Sequence, residues 1–317
     1  MQVTIGLDQI REAAGRIRAI AHHTPVMTSR SFNDRAGMEC VFKCENFQRG
    51  GAFKIRGASN LIFSLSKEQR QRGVVTYSSG NHAQAVAIAA EAVGARATIV
   101  MPEDAPRSKV AATRSHRATI VTYDRFTASR EEIGHKIAGE TGAVIAPPYD
   151  HPLTIAGQGT AGLELIEDTE GLDALVVCIG GGGLISGCSI AAKSLNPDIR
   201  VFGVEPEIAN DTYLSVKAGR RIEIPTPDTV ADGLRSPCPG ELTFPIIQKN
   251  VERVILVSES EIRETVKFLL SRLKILAEPS GAVAAAAALF GKLPRELRRA
   301  GIVVSGGNVD FETLATF

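Results

Sequence analysis

The sequence lacks the features that mark several large classes of protein. Its net charge is +1 and it has no Lys/Arg tract, so nothing in it favours binding to nucleic acid. Its most apolar runs, such as GAVAAAAALF, are too short to span a bilayer. The five cysteines include no Cys-x-x-Cys pair and are odd in number, which argues against a disulfide framework. We therefore expect a cytoplasmic globular protein with reduced thiols and with no nucleic-acid or membrane partner.

From about Gly73, strand-like and helix-like segments alternate along the chain of 317 residues. GVVTYSS, ATIVMP and ATIVTYD read as strands with helices between them, and a second series begins with ALVVCI and ends with AGIVVSGGN. Such alternation predicts βαβ units around parallel sheets. The fold class is therefore α/β with two units: a smaller one over residues 73–147, and a larger one that takes up 1–72 and 148–317.

One lysine has an unusual setting. Lys54 stands in GGAFKIRG, between small residues and beside the apolar pair Phe53 and Ile55. Burial disfavours an ammonium group and frees the amine as a nucleophile. A surface lysine that extends its charge into solvent is the alternative for this stretch taken alone.

The strongest local signal is a run of four glycines, Gly180, Gly181, Gly182 and Gly183, that follows a buried strand and precedes a helix. Each glycine costs roughly 0.5–1 kcal/mol against alanine in regular structure. The run makes sense where backbone N–H groups converge on an anion at a helix N-terminus. It lacks the spacing of a dinucleotide-binding loop and has no Gly-Lys-Ser/Thr, so it predicts a cup for a single phosphate.

A phosphate cup and a desolvated lysine together suggest pyridoxal 5′-phosphate (PLP), with the lysine in a Schiff base and the loop on the phosphate ester. Two further strand ends fit this interpretation. The turn from Ser78 to His82 opens a helix and suits a substrate carboxylate, and the turn from Ser305 to Asn308 closes another strand. A nucleotide-binding α/β protein without PLP, either a dehydrogenase or a binding module, is the alternative from a different class. The spacing of the glycines and the presence of Lys54 weigh against it.

These four motifs, in this order from about Thr24 to Asp310, resemble the fold-type II PLP-dependent enzymes of the tryptophan-synthase β-subunit family. Within that family the chain is most similar to serine racemases and serine/threonine dehydratases. The resemblance implies two open α/β domains with twisted, parallel-rich sheets, a mobile smaller domain and the cofactor in the cleft between them. It also implies a homodimer, and it leaves open whether a nucleotide acts as an effector.

The resemblance assigns cofactor contacts and a lysine that moves the Cα proton. Ser305, a neutral partner for the pyridine nitrogen, leaves the ring a weaker electron sink than an aspartate would and favours loss of a β-hydroxyl group. The assigned residues are Lys54 for the Schiff base, Phe53 beside it, Asn81 for the 3′-oxygen, Gly180, Gly181, Gly182 and Gly183 for the phosphate, and Ser305 for the pyridine nitrogen.

The substrate residues include two whose roles stay open. Ser79 is similar to the serine that faces the cofactor opposite the lysine in racemases, or else it only binds the carboxylate or caps the helix. Arg130 is either a solvated helix residue or a cation that reaches the cleft. The substrate set is Ser78, Ser79, Gly80, Asn81, His82 and Arg130.

The stretch VFGVEPEIANDTY contains a candidate metal site. Glu205 and Asp211 follow a strand with Ala209 between them, and two carboxylates, a carbonyl group and waters suit Mg²⁺, Mn²⁺ or Ca²⁺. An ordinary acidic turn is the alternative, and the resemblance to serine racemases favours the metal.

The sequence thus predicts β-elimination of L-serine or L-threonine to a keto acid and ammonia, with serine racemisation alongside. A threo-3-hydroxyaspartate ammonia-lyase is the alternative that uses the same chemistry. The sequence does not rank these substrates.

Overall fold

The computed structural model describes residues 5–78, 80–103, 107–124 and 127–317. Within these residues ten strands form two sheets. In chain order the strands are β1 (Val26–Thr28), β2 (Glu39–Cys44), β3 (Val74–Tyr77), β4 (Ala97–Pro102), β5 (Thr119–Tyr123), β6 (Val144–Ile145), β7 (Ala174–Cys178), β8 (Arg200–Pro206), β9 (Arg253–Val257) and β10 (Arg299–Val304).

The larger sheet has six strands in the order β1-β2-β10-β7-β8-β9. Only β1 runs antiparallel to its neighbour, and the other pairings are parallel. The central strands are almost continuously apolar and buried, as in ALVVC of β7, because helices cover both faces of the sheet. The early strand β2 pairs with β10, so the N-terminal part of the chain joins the larger sheet.

The smaller sheet has four parallel strands in the order β5-β4-β3-β6. All four lie between residues 74 and 145, within the stretch assigned to the smaller unit. The edge strand β5 is only partly buried, with the pattern of an outer strand. The α/β class with largely parallel sheets is therefore confirmed.

The helices fill the connections between strands. In chain order they are α1 (Leu7–Ile17), α2 (Arg30–Ala36), α3 (Lys54–Phe63), α4 (Lys67–Arg72), α5 (Asn81–Ala92), α6 (Arg107–Arg114), α7 (Arg130–Thr141), α8 (Pro152–Asp168), α9 (Gly183–Leu195), α10 (Asp211–Ala218), α11 (Thr243–Asn250), α12 (Glu259–Phe268), α13 (Pro279–Leu289) and α14 (Phe311–Leu314). A π-helical turn, Leu269–Leu273, extends α12. No helix in the described ranges is both long and apolar enough to cross a membrane.

Helix α13 is buried along its whole length and packs on the larger sheet. Its sequence PSGAVAAAAAL supplies mostly small side chains, which let a helix backbone approach the sheet closely. This places the start of α13 directly beneath the turn that follows β10, since the backbone N–H of Glu278 donates to the carbonyl of Gly306.

The spacing G-x-G-x-x-G does occur once, from Gly157 to Gly162, but inside helix α8 and not after a strand. A Cβ atom at Gly157 would lie 2.6 Å from the carbonyl oxygen of Arg56, and one at Gly162 would lie 2.7 Å from the Cα of Cys188. These glycines therefore let α8 pack closely on α3 and α9. They form no phosphate-binding loop.

Candidate active site

Lys54 is the first residue of α3. The conformation of the preceding loop and the contacts of the side chain together position its amine. The two glycines before it, Gly50 and Gly51, have φ values of 72° and 72°, a conformation that side chains disfavour. Its Nζ donates a 2.8 Å hydrogen bond to the carbonyl oxygen of Pro148 and lies 5.1 Å from the centre of the Phe53 ring. Burial lowers the pKa of Lys54 to about 8. The Lys54 amine is thus desolvated in the structure.

The tetraglycine run connects β7 to α9. Gly182 has a φ of 92° and precedes the helix, whose first N–H groups have no intrahelical partner. A Cβ at Gly181 would collide with the Tyr149 ring, and one at Gly182 would lie 2.8 Å from the Thr243 side chain. Only glycine fits between these neighbours, and the exposed N–H groups at a helix N-terminus fit a phosphate.

The turn after β10 meets the loop that carries the lysine. The backbone N–H of Phe53 donates to the carbonyl of Ser305, and that of Gly307 donates to the carbonyl of Gly51. Ser305 is buried, with its Oγ 3.4 Å from the carbonyl oxygen of Ser280. Its hydroxyl group is neutral, as the assignment to the pyridine nitrogen requires.

The turn from Ser78 to His82 lies at the carboxyl end of β3 in the smaller sheet. It contacts the turn that follows β10. Asn81, the first residue of α5, has its Oδ1 2.9 Å from the Nδ2 of Asn308 in the turn after β10. The backbone N–H of Gly80 lies 3.4 Å from the Ser78 hydroxyl oxygen. Three motifs are therefore joined by hydrogen bonds. Ser79 lies outside the described residues.

His82 contributes no positive charge to this turn. Its side chain is buried, and its Nε2 lies 2.9 Å from the carbonyl oxygen of Ala146. Burial, reinforced by the charge of Lys54, lowers the pKa of His82 to about 3. The imidazole is therefore neutral, with Nε2 as the donor. An anion at this turn would be bound by backbone N–H groups and hydroxyls.

Arg130 is the first residue of α7 in the smaller unit, and its side chain is 45% exposed. Its Nε lies 3.4 Å from the adjacent Glu131 carboxylate, a contact between exposed groups that holds the arginine only weakly. Burial raises the pKa of Tyr149, and the charge of Arg130 opposes that rise. The guanidinium group is therefore close enough to influence a side chain that packs on the glycine loop.

Glu205 and Asp211 are buried side by side where β8 leads into α10. The Glu205 carboxylate accepts hydrogen bonds from the backbone N–H groups of Thr212 at 3.1 Å and Tyr213 at 2.8 Å. Neither carboxylate oxygen of Asp211 has a hydrogen-bond partner among the described residues, although the residue is only 1% exposed. Burial and the charge of Asp211 raise the pKa of Glu205, and burial raises that of Asp211. A cation fits this pair, because unpartnered buried carboxylates are costly.

No third acidic, histidine or cysteine ligand joins this pair within the described ranges. A cation would therefore need neutral oxygen ligands, as the predicted contribution of Ala209 supplies. Ala209 is buried, and its backbone N–H donates to the carbonyl of Pro206 in the turn between the two carboxylates.

Sequence reasoning missed three residues that build the site. Glu278 is 3% exposed, and its carboxylate accepts a 2.6 Å hydrogen bond from the Asn81 side chain. Tyr149 packs against the glycine loop, and its hydroxyl group lies 3.3 Å from that of Ser236. Asp150 accepts hydrogen bonds from backbone N–H groups at the start of α11. All three contact residues that are far away in the sequence, and local sequence patterns do not predict such contacts.

Arg56, two residues beyond the lysine, is also a buried residue that the sequence analysis passed over. Its guanidinium group donates to the carboxylates of Glu45 at 2.8 Å and of Glu164 at 2.6 Å. The fully buried Lys43 adds a 2.7 Å contact to Glu164. This ionic cluster fixes α3 to α8 and so fixes the start of the helix that carries Lys54.

Known proteins share this architecture. A family model described as pyridoxal-phosphate dependent enzyme matches residues 17–306. The chain is 49% identical to L-threo-3-hydroxyaspartate ammonia-lyase of Saccharomyces cerevisiae, over 97% of this chain and 94% of the relative. It is 44% identical to L-threonine ammonia-lyase of Thermotoga maritima, over 96% of this chain and 76% of the relative. The structure of maize serine racemase superposes with a TM-score of 0.95 at 47% identity, over 98% of this chain and 96% of that one.

These matches set aside a nucleotide-binding protein without PLP. They extend over nearly the whole chain at identities well above those that indicate fold alone. The cofactor that the sequence predicts, PLP, is also the cofactor of the matching family. The chain belongs to the pyridoxal-phosphate dependent enzymes of fold type II, in the group that contains ammonia-lyases and serine racemases.

Proposed function

We propose that this protein catalyses β-elimination of L-serine and L-threonine to the keto acid and ammonia, and racemises serine. The observation that carries the proposal is the setting of Lys54. Its amine is desolvated, lies at the meeting point of three motifs and has a pKa lowered to about 8. Incubation with a panel of β-hydroxy amino acids, with detection of keto acids and of product chirality, tests it. Absence of keto acid from every substrate would exclude the elimination.

PLP, when bound, withdraws electrons from the substrate Cα and makes its proton acidic. The chain's own groups do the rest. The Lys54 amine takes the Cα proton, and the β-hydroxyl group then leaves as water with the proton that the Lys54 ammonium group returns. The enamine that results hydrolyses to the keto acid and ammonia. Return of a proton to Cα gives back an amino acid instead.

The turn from Ser78 to His82 is proposed to bind the substrate carboxylate, with Ser79 as the acid/base on the second face of Cα. Racemisation needs a proton donor and acceptor on both faces, whereas elimination needs only the Lys54 face. Because His82 is neutral, binding rests on N–H and hydroxyl groups such as those of Ser78 and Gly80. This arrangement is compatible with one carboxylate and a small side chain.

A threo-3-hydroxyaspartate ammonia-lyase is the second candidate. The relative with that activity in yeast is 49% identical to this chain. The second carboxylate of such a substrate needs a cation, and Arg130, at the start of α7 and partly exposed, is the proposed one. Comparing rates with 3-hydroxyaspartate and with L-threonine distinguishes the two candidates.

A divalent cation is proposed at Glu205 and Asp211, with the Ala209 carbonyl and waters as further ligands. The unpartnered carboxylate oxygens of Asp211 support it, because an Mg²⁺, Mn²⁺ or Ca²⁺ ion would neutralise the buried pair. The ion would act on stability and on the position of α10, since Glu205 also holds the first backbone N–H groups of that helix.

The smaller unit, residues 73–147, is proposed to be a mobile domain that closes on substrate, in a homodimer located in the cytoplasm. The free state of all five cysteines is compatible with that location. A nucleotide effector is proposed as well, without an assigned site. Sedimentation and nucleotide titration test these points.

A further inference from the structure

Glu278 is the N-cap residue of α13, but its side chain is used elsewhere. It makes no side-chain capping hydrogen bond. Its Oε1 instead accepts a 2.6 Å hydrogen bond from Asn81 Nδ2, at the start of α5 and 197 residues away in sequence. The side chain thus joins the start of α13 to the start of α5.

Asn81 is held from its other side by Asn308. The Nδ2 of Asn308 lies 2.9 Å from Asn81 Oδ1 and 2.7 Å from the carbonyl oxygen of Gly50. The Gly50 carbonyl can only accept, so it requires the nitrogen of Asn308 at this position. Asn308 is therefore the donor to Asn81.

The two neighbours together determine which way the Asn81 amide faces. An amide carries donors on nitrogen and acceptors on oxygen, and the two ends are nearly equal in size. The Glu278 carboxylate accepts from the Asn81 nitrogen, while Asn308 donates to the Asn81 oxygen. Turning the amide over would bring oxygen against carboxylate on one side and nitrogen against nitrogen on the other.

Glycine provides the room for this arrangement. A Cβ at Gly306 would collide with Glu278 Oε1, and a Cβ at Gly51 would collide with Asn308 Oδ1. These glycines belong to the turn after β10 and to the loop before Lys54. The close approach of Glu278 and Asn308 thus explains two glycines in the motifs that frame the site.

We propose that Glu278 is a positioning residue that orients Asn81 toward the cofactor. Nδ2 carries two hydrogens, and Glu278 takes one of them. Across residues 5–78, 80–103, 107–124 and 127–317, Glu278 is the one hydrogen-bond acceptor found for this nitrogen. The second N–H is then presented to the 3′-oxygen of PLP, and Glu278 acts on the cofactor only through Asn81. The inference rests on the proposed role of Asn81.

A double-mutant cycle on cofactor binding tests this inference. The dissociation constant of PLP is measured by calorimetry on the apoproteins of the wild type, Glu278→Met, Asn81→Ala and the double variant. Methionine keeps the length of the side chain but removes the acceptor. Glu278→Met should weaken PLP binding by about three- to tenfold, the value of one hydrogen bond, and should add nothing once Asn81 is alanine. Glu278→Gln, which keeps an acceptor, should restore most of the affinity.

Asn308→Ala frees the other side of the same amide. It should weaken PLP binding in the same direction, and by less in the Asn81→Ala background, where only its hydrogen bond to the Gly50 carbonyl is lost. This variant keeps the test available if Glu278→Met fails to fold. The control is Glu259→Met, which removes a carboxylate that accepts from Thr229 and Val230 outside the cleft. It should lower thermal stability without changing the affinity for PLP.

Two results would overturn the inference. Either the affinity of Glu278→Met and Asn308→Ala for PLP equals that of the wild type, or Glu278→Met weakens binding equally with and without the Asn81 side chain. The second result would mean a direct action of Glu278 on the cofactor. Because these measurements need no turnover, they stay informative whichever substrate the enzyme uses and even if the proposed reaction is wrong.

Discussion

The Nζ atom of Lys54 lies 2.8 Å from the carbonyl oxygen of Pro148. This contact ties the lysine to the segment that enters α8. The next residue, Tyr149, packs on the glycine loop, and Asp150 then holds the start of α11. A short segment thus sets the lysine and the glycine loop at a fixed separation. A cofactor that is bound at both ends requires such a relationship.

The lowered pKa of Lys54 predicts how fast PLP attaches to the apoprotein at different pH values. Only the neutral amine is nucleophilic. With a pKa of about 8, about a tenth of the Lys54 side chains are neutral at pH 7, which is far more than for an ordinary lysine. The rate of attachment, followed by the visible absorption of the cofactor, should rise with pH and level off above about pH 8. A rate that keeps rising to pH 10 would show that the amine is not desolvated.

Ser79→Ala should remove serine racemisation and spare much of the elimination from L-serine. Loss of a hydroxyl group on the second face blocks proton transfer there, while the Lys54 face is unchanged. Chiral chromatography of serine and a keto-acid assay on the same samples measure both activities. Ser115→Ala, which removes an exposed hydroxyl group just after α6, serves as the control. Equal loss of both activities in Ser79→Ala would assign this residue to carboxylate binding.

Chelation should lower the thermal stability of the protein, and Mg²⁺, Mn²⁺ or Ca²⁺ should restore it. An ion that binds only the folded state adds about 2.7 kcal/mol at a hundredfold excess over its dissociation constant. Asp211→Asn should abolish this response. It should also stabilise the metal-free protein, because it relieves the repulsion of Glu205. Glu207→Gln, an exposed carboxylate in the same turn, is the control. If neither the chelator nor the metals change the melting temperature, Glu205 and Asp211 belong to an ordinary acidic turn.

Arg130→Ala should weaken dicarboxylate ligands such as malonate or 3-hydroxyaspartate by about ten- to a hundredfold, the value of a charge-assisted contact. The Michaelis constant for L-threonine should change little, because threonine has one carboxylate. Lys136→Ala, an exposed cation on the same helix, is the matched control. If the affinities for both ligand classes fall equally, Arg130 has a structural role in the smaller domain. If neither changes, Arg130 is a solvated residue.

The sequence alone was enough to find the motifs that consist of consecutive residues. The glycine loop and Ser305 follow apolar strands of the larger sheet, and Asn81 follows a strand of the smaller sheet. Parallel strands bring their carboxyl ends to one edge of each sheet. The order of the motifs along the chain made the family recognisable.

The sequence was insufficient where a side chain finds its partner across the fold. Glu278 precedes a proline and a helix, so its sequence reads as an ordinary helix start, and nothing local reveals its bond to Asn81. The same holds for Tyr149 against the glycine loop, and for Arg56, whose burial between two carboxylates depends on α8. The G-x-G-x-x-G spacing in α8 has the pattern of a nucleotide-binding loop but lies inside a helix, and the pattern has that meaning only after a strand.

Covalent labelling of the lysine tests the central claim most directly. The protein loaded with PLP is reduced with borohydride, digested and analysed by mass spectrometry, in parallel with Lys54→Ala. The account predicts that the cofactor is fixed on the peptide that contains Lys54, and that Lys54→Ala has neither the label nor turnover, because the Schiff base needs this amine. A label on any other lysine, or full activity of Lys54→Ala, would contradict the account.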